Sequence, residues 1–147
     1  MEQKEFQPAV YPHSLKFHKK TAQLDVKIIR PSKDDIGCWM LQVAKPLPNQ
    51  EKMNWENSII MKFSLVDAAE LFYAFKREAF PMKLFHKNAK GSTTLDVAKT
   101  EAGGYWFNFS SVRDTVQNKI SVGLYEKETD LLLLALKQTI PTLLNWT

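Results

Sequence analysis

Lysines and aromatic rings alternate on strand-like segments of this chain. Phe17 and Lys19 are spaced to share one face of an extended segment, as are Phe85 and Lys87, with Lys83 beside them. Lys20, Lys27, Lys62 and Lys90 add charge along the same stretches, and Thr21 and Gln23 add hydrogen-bonding groups. Trp39, Tyr105 and Trp106 fall in two later strand-like runs. Rings give unpaired bases a stacking platform worth about 1–3 kcal/mol per base, and lysines neutralise phosphates. The pattern points to single-stranded nucleic acid, with these residues, Lys83 apart, as the thirteen candidate contacts. A sheet core is the competing reading for part of the set. Tyr105, Phe107 and Phe109 alternate on one face, as core residues do. Trp106 and Trp39 point the other way and are the better stacking candidates. Leu41 and Val43 share Trp39's face, so the buried side of that sheet stays open.

Other chemistry lacks its motifs. There is no GxxxxGK[ST], no GxGxxG after a strand and no HExxH. His18 and His86 read as half-exposed strand residues, Asp34-Asp35 as a solvated turn, and Asp25 and Asp96 as solvent-facing strand positions. Cys38 has no visible base to activate it and reads as a packed strand residue. No catalytic residue, metal ligand or cofactor is expected, and the chain reads as a non-enzyme.

The bounds agree. The chain has 147 residues, a net charge of +4 and a pI near 9.1, which favours anionic partners. A single cysteine excludes an internal disulfide framework and suits a reducing compartment. No apolar run has the length of a membrane span, and the first residues read as neither a signal nor a transit peptide. The expectation is a soluble intracellular protein. It would be cytoplasmic or nucleoid-associated in a bacterium or phage, and organellar only with a transit peptide already removed.

Two similar units must position these residues. After a loose arm over 1–11, strands are expected at His13–Lys19, Gln23–Arg30, Gly37–Ala44 and Ser58–Phe63. Ser64 then caps a helix that runs to about Ala79, with Leu65, Ala68, Ala69, Phe72 and Phe75 on its apolar face. The pattern restarts with strands at Met82–Lys87, Ser92–Lys99, Tyr105–Val112 and Lys119–Tyr125, with Asp114–Asn118 as a loop. A leucine-rich helix over Lys127–Trp146 closes the chain, with a kink or fresh turn expected at Pro141. Phe17-His18-Lys19 matches Phe85-His86-Lys87, and Leu24-Asp25-Val26 matches Leu95-Asp96-Val97. Gly37-Cys38-Trp39 matches Gly104-Tyr105-Trp106, Asn57 matches Asn118, and Leu71–Lys76 matches Leu132–Lys137. These matches in order argue for a duplicated ββββα unit, about 13–80 and 82–146, inside one domain over 12–147. The fold class is α+β, with two antiparallel four-stranded meanders each followed by a helix. The last helix is apolar almost all round, so other subunits should cover part of it. Leu131, Leu133, Leu134, Leu136, Ile140 and Leu144 are the expected oligomer contacts.

The chain resembles the Whirly proteins, a family of single-stranded DNA-binding proteins. Phe17–Val26 occupies the place of the family's KGKAALSV signature, with Lys19, Ala22, Leu24 and Val26 matching it. Asn54-Trp55-Glu56 is similar to the family's DWE, Phe85-His86 to its FFH, Gly104-Tyr105 to its GYF, and Ile140–Trp146 to its LPxxxGW. The resemblance implies a four-fold symmetric homotetramer with helices at the centre and sheets as blades. Single-stranded DNA would run along sheet edges and between subunits with little sequence preference, in genome maintenance (recombination or repair) or transcription. The signature is also tied to assembly of tetramers into larger particles, and its second lysine is Thr21 here. Guide-RNA-binding proteins of kinetoplastid mitochondria share the architecture, so an RNA-binding and annealing role is an alternative. A protein-interaction oligomer without nucleic acid is another.

Overall fold

A strand that alternates apolar and polar residues can bury only one face, and eight such strands here line up into two sheets. The computed structural model describes residues 13–146; the arm expected over 1–11 lies outside them. Strands β1 (Leu15–His18), β2 (Gln23–Ile29), β3 (Cys38–Ala44) and β4 (Ile59–Phe63) form the first sheet in sequential antiparallel order. A single 3-10 turn, Trp55–Asn57, precedes β4, and helix α1 (Leu65–Arg77) follows it. Strands β5 (Met82–Asn88), β6 (Gly91–Lys99), β7 (Tyr105–Arg113) and β8 (Val116–Leu124) form the second sheet in the same order, and α2 (Glu126–Leu143) closes it.

One expected loop is absent. A connection is expected over Asp114–Asn118, but β8 begins at Val116. The turn is Asp114-Thr115 alone, with φ of 49° and 68°. Two left-handed residues match the twist of the flanking strands. Asp-Thr lacks the glycine that usually marks such a turn, which hid it.

Cross-strand register places the core. In the first sheet Leu15, Val26, Leu41 and Met61 form one inward row, and Phe17, Leu24, Val43 and Ile59 form the next. Ile28, Trp39 and Phe63 make a third. In the second sheet the rows are Met82, Val97, Phe107 and Val122, then Leu84, Leu95, Phe109 and Ile120. Both inner faces and both helices feed one continuous apolar cluster, which includes Leu71, Leu132, Leu136 and Leu143. Burying a side chain of this size contributes about 1.5–3 kcal/mol.

The register also corrects the alignment of the two units. Leu24 and Leu95 occupy the same inward place, and so do Ile59 and Ile120. The residue opposite Leu24 on the first strand is Phe17, whereas the residue opposite Leu95 is Leu84, not Phe85. Likewise Trp39 is the counterpart of Tyr105, not of Trp106. A one-residue slip exchanges faces. The aromatic residue therefore points into the core in the first unit and away from it in the second. Phe17 and Trp39, expected to meet bases, are 3% and 1% exposed and belong to the core.

Each helix follows its stripe with adjustments. The Ser64 hydroxyl accepts from the Asp67 backbone N–H at 3.2 Å, and the Asp67 carboxylate accepts from the Ser64 N–H at 2.9 Å. This is the reciprocal cap expected from the sequence. The buried face of α1 is Ala68, Leu71 and Ala74; Ala69, expected inside, is exposed. Helix α1 stops at Arg77, where Glu78 takes φ 51°. Helix α2 runs on through Pro141 to Leu143, because the donor that proline removes falls in the final turn. Leu136, expected at an oligomer interface, is fully buried in its own subunit, whereas Leu131 and Leu134 are exposed. Leu133, Ile140 and Leu144 are half-buried.

Trp39 explains why a large ring with a polar atom can sit inside. Its indole N–H donates to the Thr139 hydroxyl at 2.7 Å, and that hydroxyl lies 2.9 Å from the Ala135 carbonyl, to which it can donate. Thr139→Val keeps the shape but strands the indole N–H. It is expected to destabilise the fold by about 1–3 kcal/mol, read as a lower midpoint in urea unfolding.

Candidate nucleic-acid interface

The outer face of the second sheet is where charge and exposed rings meet. Phe85, Thr94, Ser110 and Lys119 form one row across β5 to β8. Lys83, Asp96, Asn108 and Ser121 form a second, in which Ser121 donates to Asn108 Oδ1 at 2.6 Å. Lys87 lies in a third with Ser92, Val112 and Gln117, and Lys90 sits in the adjoining turn. Phe85 is 60% exposed and Trp106, on β7, is 45% exposed. Strand spacing and rise place the two rings roughly 15 Å apart on the same surface.

Trp106 is held by what lies beneath it. Its row partner on β8 is Gly123. A Cβ at Gly123 would come within 3.2–3.5 Å of three atoms of the six-membered ring. The indole therefore lies face-on over a residue with no side chain.

Beyond Trp106 the sheet ends in a cleft of about 410 Å³. Lys19, Lys20 and Thr21, from the β1–β2 connection, border it on one side. Tyr105, Trp106, Gly123 and Tyr125 border it on the other. Five residues singled out from the sequence thus meet in one place. Tyr105 does so without presenting its ring. It packs edge-on against Phe75, with centroids 4.7 Å apart, and lies 5.2 Å from Phe80. Its expected stacking role is replaced by packing. Lys19 is ion-paired with Glu128 and sits 4.2 Å over the Tyr125 ring. Lys20 and Thr21 are exposed.

The remaining candidates lie elsewhere. Lys27 and Lys62 flank Met40 on the outer face of the first sheet. Gln23 shares that face; it bonds His18 at 2.7 Å and donates to Asp25 at 2.8 Å. Asp25 is 5% exposed, so it is not the solvated position expected. His86 Nε2 meets Asp67 Oδ2 at 2.9 Å, which ties β5 to the start of α1. Neither histidine has metal-site company: among the described residues no three His, Cys, Asp or Glu side chains are grouped to hold a metal. No described helix is long and apolar enough to cross a membrane.

Three surface residues were missed. Lys119 lies level with Phe85 only because of the strand register, which the sequence does not display. Gly123 carries no motif. The sequence pattern makes Tyr125 the end of a strand, and its place between Lys19 and the cleft depends on contact between the two sheets.

No protein-family model matches the sequence, and no match is found among curated proteins. Solved structures match closely in shape. WHY1 from Arabidopsis thaliana superposes with a TM-score of 0.80 at 21% identity, over 95% of this chain and 89% of that one. The plant transcriptional regulator PBF-2 gives 0.78 at 19% identity, over 95% and 94%. MRP1/MRP2 from Trypanosoma brucei gives 0.60 at 15% identity, over 89% and 85%. The chain has the Whirly-like fold: two antiparallel four-stranded sheets, each followed by a helix.

Cys38 is half-buried on the outer face of the first sheet. Burial pushes its thiol up, and the nearby Lys62 ammonium offsets only part of that shift. A raised thiol holds less thiolate at neutral pH, and the thiolate is the nucleophile. Alkylation by iodoacetamide at pH 7.5 is expected to be slower than for free cysteine, and Lys62→Met is expected to slow it further.

Proposed function

We propose that this chain is a largely sequence-independent single-stranded DNA-binding protein that acts as a homotetramer. The strand runs along sheet edges and between subunits, and the process served is genome maintenance or transcription. The observation that carries the reading is the outward face of the second sheet, where Phe85 and Trp106 stand exposed among lysines. Stacking needs bases free of a partner, so this surface favours single strands over duplex. Its lysines supply the sequence-independent part. The Whirly-like fold supports the reading, and PBF-2, a plant transcriptional regulator, supports the link to transcription. The exposed Leu131 and Leu134 on α2 support assembly through that helix. The chain is read as a binder, with no catalytic role assigned to any residue.

Fluorescence anisotropy with a labelled oligonucleotide of about 30 nucleotides, a length that spans several stacked bases, tests this. Single-stranded DNA is expected to bind more tightly than duplex, with affinity falling as salt rises. Equal affinity for the two would refute the proposal. Competition with RNA of the same sequence reports which sugar is preferred. Trp106→Ala and Phe85→Ala are each expected to weaken binding by about 1–3 kcal/mol, with unfolding midpoints near the parent's because both rings are exposed.

Assembly is tested separately. Leu134→Glu is expected to leave the subunit folded but to reduce both the mass in light scattering and the DNA affinity. A monomeric variant that binds as tightly as the parent would separate assembly from binding.

A further inference from the structure

The lysine that the sequence marks most clearly as a phosphate contact already has an anion. Lys19 Nζ is paired with Glu128 Oε1. The same oxygen accepts the Tyr125 backbone N–H at 3.0 Å. Glu128 is therefore held at the first turn of α2. The Tyr125 ring, 4.2 Å from the lysine nitrogen, holds Lys19 beside it. Neither partner is sealed off: the two side chains are 21% and 27% exposed. Lys19 lines the cleft that also contains Lys20 and Trp106, and brings the paired Glu128 to its edge. Among the described residues no ion pair involves Lys20.

We infer that Glu128 is a built-in competitor for nucleic-acid phosphate at Lys19. This inference rests on the single-stranded DNA reading and sharpens it. A phosphate arriving at the cleft must take the place of a carboxylate that is already hydrogen-bonded in position. It then lies beside a negative charge that has lost its partner. The gain from the new contact is offset by the contact given up. Lys19 also releases little counterion on binding, because its charge was neutralised by the protein and not by salt. The cleft thus binds through Lys20 and the Trp106 ring, and Lys19 contributes far less than its sequence position suggests. Glu128 sets the affinity of the site without belonging to the surface that touches bases.

Glu128→Gln isolates the effect. A glutamine keeps the shape and can still accept the Tyr125 N–H. Tyr125 still holds the Lys19 ammonium near the cleft. Only the competing charge is removed. On a labelled oligothymidylate of about 30 nucleotides, the variant is expected to bind about fivefold more tightly at 0.1 M salt. The slope of log K against log[salt] should steepen by about 0.7, the value for one added phosphate contact on a single strand. In Glu128→Gln/Lys19→Ala both gains are expected to vanish. Two results overturn the inference: Glu128→Gln binding with the parent's affinity and slope, or a gain that survives in the double variant. The second would mark a general field effect of the lost charge. Failure of the parent and every variant to bind single strands overturns the functional reading itself. Parent binding with no effect of Glu128→Gln overturns this inference alone.

Discussion

Two sheets here share one core, so every strand can commit only one face to it. That constraint governs the rest of the molecule. The inner rows of both sheets, the buried edge of α1 and Leu132, Leu136 and Leu143 of α2 close on one another in a single apolar cluster. Most polar and charged strand residues lie on the outer faces and the connections, while Thr93 of β6 and Thr129 of α2 are buried. Whether a given ring packs or stands exposed is decided by the parity of its position in the strand. Trp39 and Trp106 are both tryptophans two residues after a glycine, yet one is bonded to Thr139 inside and the other lies on the surface.

The two units are also latched together in a reciprocal manner. Asp67, at the third position of α1, completes the cap at Ser64 and also meets His86 on the first strand of the second sheet. Glu128, at the third position of α2, bonds the Tyr125 N–H and also meets Lys19 beside the first strand of the first sheet. Each helix thus begins with an acidic residue that faces two ways: to its own backbone and to a basic residue of the other unit. Partly exposed pairs of this kind add little to stability. Their effect is to place Lys19 at the cleft and to hold β5, with Phe85 and Lys87, against α1.

Much of this was legible in the sequence. Period-two alternation located the strands, the Ser64–Asp67 spacing located the first helix start, and the order of small matches disclosed two ββββα units. The fold class followed. The candidate site was legible only in part, for a physical reason. Sequence matches align residues by type, whereas side-chain direction is set by register. The longer β1–β2 connection and the tight β5–β6 turn displace the Phe17 match by one residue, and the unequal β2–β3 and β6–β7 connections displace the Trp39 match. Phe17 and Trp39 could therefore be named but not placed. The leucine-rich run misled in a similar way: Leu136 serves the subunit's own core, and only the flanking Leu131 and Leu134 are left facing out. Lys119, Gly123 and Tyr125 reach the site through pairing and packing between distant segments, which no local pattern records.

Gly123 has a stereochemical consequence. Because the Trp106 indole rests face-on over it, one side of the ring is already occupied by the sheet. A single π-face remains. Trp106 cannot be sandwiched between two neighbouring bases as an intercalating wedge is. On the single-stranded DNA reading it would serve as a shelf for one planar group from above, and the strand would pass over the sheet and not thread through it. The glycine thereby sets the side from which the ring can be approached, without a side chain of its own.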